Sequence, residues 1–191
     1  LVLTGLPDPA TAGVANDLIV TARDAFGNTA TGYAGTVQFS SSDPQAVLPP
    51  AYTFQPSVDA GVHTFTGGVT FKTAGEQTLQ ATDGTITAGA SVIVNPAAAA
   101  ELRFTAQPSD ALEGATIAPP VAVTAYDAFD NVATGFMGEV TVAIGTNPGS
   151  GVLTGTLQRA AVLGVATFDD LAIDEPGVGY TFVASASGLP D

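Results

Sequence analysis

Apolar residues recur at every second position along much of the chain. Leu18, Val20 and Ala22 alternate with Ile19, Thr21 and Arg23, and Val37 and Phe39 alternate with Thr36 and Gln38. Farther on, Val121, Val123 and Ala125 keep the same period, as do Val140, Val142 and Ile144 against Glu139 and Thr141. A period of two belongs to strands with one face buried, because successive side chains leave a strand on opposite faces. No segment carries a helical period. The Ala97 to Ala100 run is far shorter than the roughly 12 residues an isolated helix needs.

The pattern is written twice. The stretch from Val20 to Gly35, with Asp24-Ala25-Phe26-Gly27-Asn28 at its centre, returns from Val123 to Gly138 as Asp127-Ala128-Phe129-Asp130-Asn131. The offset is 103 residues, and it is the same between Gly61-Val62-His63-Thr64-Phe65 and Gly164-Val165-Ala166-Thr167-Phe168. Two separated blocks in one register mean a duplicated domain. Val92-Ile93-Val94 reads as a closing strand that Asn95-Pro96 stops, and Leu102-Arg103-Phe104 opens the second copy. The expected domains are residues 1–96 and 102–191, joined by a linker at 97–101. A linker so short predicts an elongated, semi-rigid pair.

Short strands at regular spacing in units of about 100 residues predict an all-β fold of two tandem immunoglobulin-like antiparallel β-sandwiches. Tyr180 stands at the start of a predicted strand, Tyr180 to Ala184, where sandwiches place a corner tyrosine that ties a loop to the backbone. The first copy has Gln77 there, so the lock is expected in the second copy alone. That copy stops at Gly188-Leu189-Pro190-Asp191 without a counterpart of Ser91 to Val94. Its last strand is therefore expected either from a continuation of the chain or from another subunit.

Composition agrees with strands and narrows the function. Of 191 residues 46% are apolar and 12% charged, and the formal charge is −14. Such a surface repels phosphate, so nucleic acid is excluded as a partner. Cysteine is absent, which removes disulfides and thiolate metal sites. No apolar run reaches the roughly 20 residues of a membrane-spanning helix, so membrane insertion is not expected. The start at Leu1 shows neither an initiator Met nor a leader pattern, which suits a piece of something longer. An acidic chain with four Lys plus Arg offers few sites to trypsin-like proteases and suits an extracellular or cell-surface place.

The blocks Val-Thr-Ala-x-Asp-Ala-Phe-x-Asn-x-Ala-Thr-Gly and Gly-Val-x-Thr-Phe, with Lys72-Thr73-Ala74-Gly75 before a strand, resemble bacterial Ig-like repeats of large surface and secreted proteins. Invasin and intimin stalks are similar in style, and filamin-type repeats share the architecture. The resemblance implies a non-enzymatic spacer or fibre element. Its partners would be neighbouring repeats of the same chain or other copies of the protein. A filament subunit joined by donor-strand exchange and a ligand-binding module on an adhesin or enzyme are the alternatives.

Candidate chemistry is sparse. His63, the one histidine, lies near Ser40, Ser41, Ser42 and Asp43 in sequence, but it shares a strand face with Phe65 and aligns with Ala166. A packed or sheet-margin histidine is the expectation, and no catalytic residue is assigned. Five Glu are scattered, with no insertion to build a cleft around a carboxylate pair. Asp24 and Asn28, and Asp127, Asp130 and Asn131, are weak calcium candidates, since clustered oxygens can hold that cation. Asx-capped turns are the expected use of the same residues, and no other cofactor is suggested. Lys72, the sole lysine, is expected to be exposed at a turn and not cross-linked. Tyr52, in a loop after Pro49-Pro50-Ala51, is the best candidate for an exposed contact, although a loop staple is the commoner role. Trp is absent, which leaves poor material for a carbohydrate-stacking platform.

Overall fold

A computed structural model describes residues Leu1 to Leu189 and divides the chain into two compact units, Leu1–Pro96 and Ala97–Asp191. Both are β-sandwiches of the immunoglobulin-like kind. In the first, the elements are β1 (Val2–Thr4), β2 (Ala10–Thr11), β3 (Ala15–Thr21), β4 (Thr36–Ser41), β5 (Tyr52–Thr53), a single helical turn α1 (Pro56–Asp59), β6 (Val62–Thr70), β7 (Gly75–Thr82) and β8 (Thr87–Asn95). One sheet has the order β1-β3-β6 and the other β2-β8-β7-β4-β5. All pairings are antiparallel except β2 with β8.

The alternation seen in sequence sets the core. Leu18, Val20 and Ala22 from one sheet and Val37, Leu79, Ala81, Val92 and Val94 from the other are all nearly inaccessible to solvent. Each such aliphatic side chain contributes roughly 1.5–3 kcal/mol by leaving water, alanine less. The short helix escaped the sequence pattern. Four residues cannot display a helical period, and the turn owes its existence to Pro56 at its start and to Asp59, which folds back onto the Gln55 N–H.

The second unit contains β9 (Glu101–Ala106), β10 (Val121–Tyr126), β11 (Glu139–Ile144), β12 (Leu153–Thr154), β13 (Gln158–Ala160), β14 (Val165–Phe168), β15 (Ala172–Ile173) and β16 (Phe182–Ala186). They form sheets β14-β10-β9, β13-β11-β16 and β12-β15. Val121, Val123, Val140, Val142, Ala166 and Phe168 fill the core. The strand expected from Tyr180 starts two residues later, at Phe182. Residues 97–100 do not behave as a free linker, because the Ala97 and Ala100 N–H groups bond Asp127 Oδ2 and the Tyr126 carbonyl within this unit. Among the described residues β16 has β11 on one side and no strand on the other, whereas its counterpart β7 lies between β4 and β8.

Candidate functional site

The two acidic turns are built alike. Asp24 Oδ1 accepts hydrogen bonds from the N–H groups of Phe26 (2.9 Å) and Asn28 (2.8 Å), and Oδ2 accepts from Asn28 Nδ2 at 3.1 Å. Asp127 repeats this with Phe129 (2.8 Å), Asn131 (2.9 Å) and Asn131 Nδ2 (2.9 Å). The fourth residue of each turn is left-handed: Gly27 has φ +85° and Asp130 φ +67°. Aspartate tolerates this conformation better than most side chains.

The turns differ in one respect. Asp24 is exposed, while Asp127 is only 1% accessible and takes a further bond from Ala97 N–H at 2.9 Å. Burial alone would raise the Asp127 pKa; the bonds from Asn131, Ala97 and Phe129 outweigh it and hold the carboxyl below its ordinary value. The Asp24 carboxyl is also held low, chiefly by Asn28. Asp130 points elsewhere and pairs with Arg103 at 2.5 Å, whose guanidinium also meets Glu101 and lies 4.6 Å from the centre of the Tyr126 ring. The Asp24 and Asp127 carboxylates thus accept from N–H donors and the Asp130 carboxylate pairs with Arg103, and no cluster of three or more His, Cys, Asp or Glu suited to a metal occurs among the described residues.

Tyr52, named as the candidate for an exposed contact with a loop staple as its commoner role, is not exposed. It is half-buried in β5, opposite Val37, and its hydroxyl donates to Asp59 at 3.1 Å. Its ring stacks on His63 at 3.8 Å and meets Phe54 and Phe65 edge-on. His63 Nδ1 lies 2.7 Å from Asp59 Oδ1. Burial raises the Asp59 pKa, but donors from Gln55, His63 and Tyr52 overcome it and keep the carboxyl low. Tyr52, Asp59 and His63 therefore pin α1 to β5 and β6. The serines near His63 in sequence have other partners: Ser41 Oγ donates to the Thr78 carbonyl and Ser42 Oγ to Gln77 Oε1. Ser41 and Ser42 therefore deliver no nucleophile to the imidazole. The sequence offered one signal for the true partner, the i, i+4 spacing of Asp59 and His63.

Both units lock the loop before the seventh strand or its counterpart. Tyr180 Oη donates to the Glu175 carbonyl at 3.0 Å, as its position predicts. The first unit is not without a lock: Gln77 Nε2 donates to the Thr73 carbonyl at 3.2 Å while Oε1 receives Ser42. An amide replaces the phenol because it too carries a donor to a carbonyl a few residues upstream. Beside it, Asp43, 4% accessible, accepts from the Lys72 and Thr73 N–H groups and the Thr73 hydroxyl. This draws Lys72 in, so the residue is half-buried and not exposed.

No protein-family model matches the chain, and no curated protein matches it. Among solved structures, the chain is similar to the Yersinia pseudotuberculosis adhesin InvE, with 21% identity and a TM-score of 0.39 over 96% of this chain and 54% of that one. The Escherichia coli adhesin FdeC gives 17% identity and 0.43, covering 98% and 59%. A Parabacteroides merdae β-glucuronidase gives 14% and 0.37, covering 96% of this chain but 22% of the enzyme. The chain thus spans between about a fifth and three fifths of these proteins. At such identities and overlaps the resemblance says nothing of activity.

Proposed function

We propose that the chain is a structural repeat segment of a bacterial cell-surface or secreted protein, a spacer in an adhesin stalk or fibre and not an enzyme. The observation that carries the reading is where the polar chemistry goes. Asp24, Asp43, Asp59 and Asp127 each spend their oxygens on N–H or O–H donors of their own unit. Groups arranged in this way hold loops and leave nothing aimed at a substrate. Duplicating a sandwich with its own core adds length, which is what a spacer requires. Its partners are then neighbouring repeats. No helix among the described residues is long and apolar enough to cross a membrane.

Antibodies raised against the 191 residues should label intact cells of the source bacterium or its culture medium, and external protease should remove the cell-bound signal. A signal confined to the cytosol overturns the proposal. The bare side of β16 favours a second reading, a filament subunit completed by a strand from its neighbour. Denatured native material would then show a mass near 18.9 kDa, with polymers present before denaturation.

A further inference from the structure

The smaller sheet of the first unit ends at β6, a nine-residue strand with β3 on one side and, among the described residues, no strand on the other. Three bonds fix which way its backbone groups point. Ala22 N–H donates to the Gly61 carbonyl, and Gly67 N–H donates to Asp17 Oδ1 of β3 at 2.7 Å. At the far end Thr70 exchanges both of its backbone bonds with Val47, on the side away from β3. Backbone groups alternate sides along a strand. His63 and Phe65 are therefore bonded to β3, and Val62, Thr64 and Thr66 turn their N–H and C=O groups to the free edge. Their side chains are exposed, while those of His63 and Phe65 pack against Tyr52.

The sequence explains why this edge is bare. Val47 begins a pairing with β6, and continuing it would set Pro49 opposite Gly68. Pro49 and Pro50 have no N–H to give, so the chain leaves β6 and goes on to β5. The second unit closes the same edge. Val165, the counterpart of Val62, exchanges both bonds with Val162 of its own hairpin, at 2.8 and 3.1 Å. The strand β14 is only four residues long and runs into Asp169 and Asp170. In the first unit Asp59 holds the place of Val162, and its N–H is spent on the Gln55 carbonyl within α1. Short, charged or covered edges resist pairing with another chain, and a long uncharged one invites it.

We propose that the Val62–Thr66 edge is a self-association surface, on which a second copy of this chain pairs antiparallel through its own β6. The edge is self-complementary. A twofold axis at Thr64 sets Thr64 opposite Thr64 and Val62 opposite Thr66, so every opposed pair presents N–H and C=O to its partner. All the opposed side chains are uncharged and β-branched, a favourable match across strands. Two copies of a chain of charge −14 repel one another in general, and this neutral row is a place where they meet without opposing carboxylates. A basic peptide finds no acidic side chain along it. The pairing joins two three-stranded sheets into one continuous sheet. This surface belongs to the first unit alone and stands whether or not the array is a spacer.

Sedimentation equilibrium on the 191-residue chain, loaded up to about 1 mM, covers the range of short transient contacts. The chain should form a dimer. Thr64→Lys and Thr64→Glu should each weaken it roughly 10-fold or more, because like charges then meet across the axis. An equimolar mixture of the two variants should restore the dimer, since opposite charges then face each other. Dilute samples of both variants should melt as the parent does, Thr64 being exposed. In the parent, amide exchange at Val62, Thr64 and Thr66 should slow as concentration rises, while exchange at Val165 stays constant. A chain that remains monomeric over the whole range overturns the proposal. So does a dimer that both variants leave intact, or one that forms without protecting those three amides, since either result assigns the contact to another surface.

Discussion

Asp127→Ala should destabilise the second unit far more than Asp24→Ala destabilises the first, although the two turns share one sequence pattern. Asp127 is 1% accessible and accepts four hydrogen bonds, from Phe129, Asn131 twice, and Ala97. A hydrogen bond to a charged group contributes about 1.5–3 kcal/mol, and a buried donor left unpaired costs about 1–3 kcal/mol. These terms are not additive, because Asn131 contributes two of the bonds and can re-aim its amide once freed. A net loss of about 3–4 kcal/mol is the reasonable sum, or a fall in melting temperature of about 12–30 °C for a unit of this size. At the exposed Asp24 turn water replaces the lost acceptor, so its loss is the smaller. Calorimetry on both variants, with amide exchange at Ala97, Phe129 and Asn131 to assign the transition, measures the contrast. Equal shifts in the two variants, or unchanged exchange at Ala97, would refute the claim that the buried aspartate fastens residues 97–100 to the second unit.

Three further outcomes follow from the same geometry. Tyr180→Phe removes only the bond to the Glu175 carbonyl and should cost about 1 kcal/mol in chemical denaturation; no change would make the phenol a packing group alone. Gly151→Ala should cost more, since the new methyl carbon would sit 2.7 Å from both the Ile173 side chain and the Tyr180 hydroxyl; an unaltered melt would show that the loop gives way freely. The carboxyls of Asp43, Asp59 and Asp127 all bind protons less tightly in the fold than in the open chain. The stability they add is complete above the unfolded value of about 3.9 and is lost as the pH falls through the lower folded values. The melting temperature should therefore decline below about pH 4, and a flat profile from pH 5 to pH 2 would count against that account.

The strands and their inward faces were legible because a two-residue period is a local property. Leu18, Val20, Val121 and Val123, named from alternation alone, are fully buried. Tyr180 could be read because its position relative to a strand start is also local. What escaped was set by neighbours distant in sequence or by elements too short to show a period. Tyr52 follows a proline-rich loop, yet a two-residue pairing with Val37 and the stack on His63 draw it inward. The Gln77 lock is not legible from residue type, because a corner tyrosine is recognised by its phenol while the geometry asks only for a donor near an upstream carbonyl. The fastening of residues 97–100 was missed because alanines advertise nothing; the acceptor, Asp127, lies 30 residues on.

Two copies of one unit serve as a control for each other, and the comparison separates what the fold demands from what each copy adds. The aspartate turn appears in both with the same three donors, so it is a requirement of the connection after the third strand or its counterpart. The loop lock also appears in both, but through Gln77 in one and Tyr180 in the other, so the bond is required and the side chain is not. The aromatic staple of Tyr52, His63 and Phe65 appears only in the first unit, where Ala166 replaces the imidazole in the second. It is therefore a local way of pinning α1. A ligand site shared by every repeat would show itself as a pair of matching residues whose polar atoms face outward. The matching pairs here, Asp24 with Asp127 and Asn28 with Asn131, turn their carboxylates and amides inward onto their own turns. Recurrence at these positions follows the needs of the backbone.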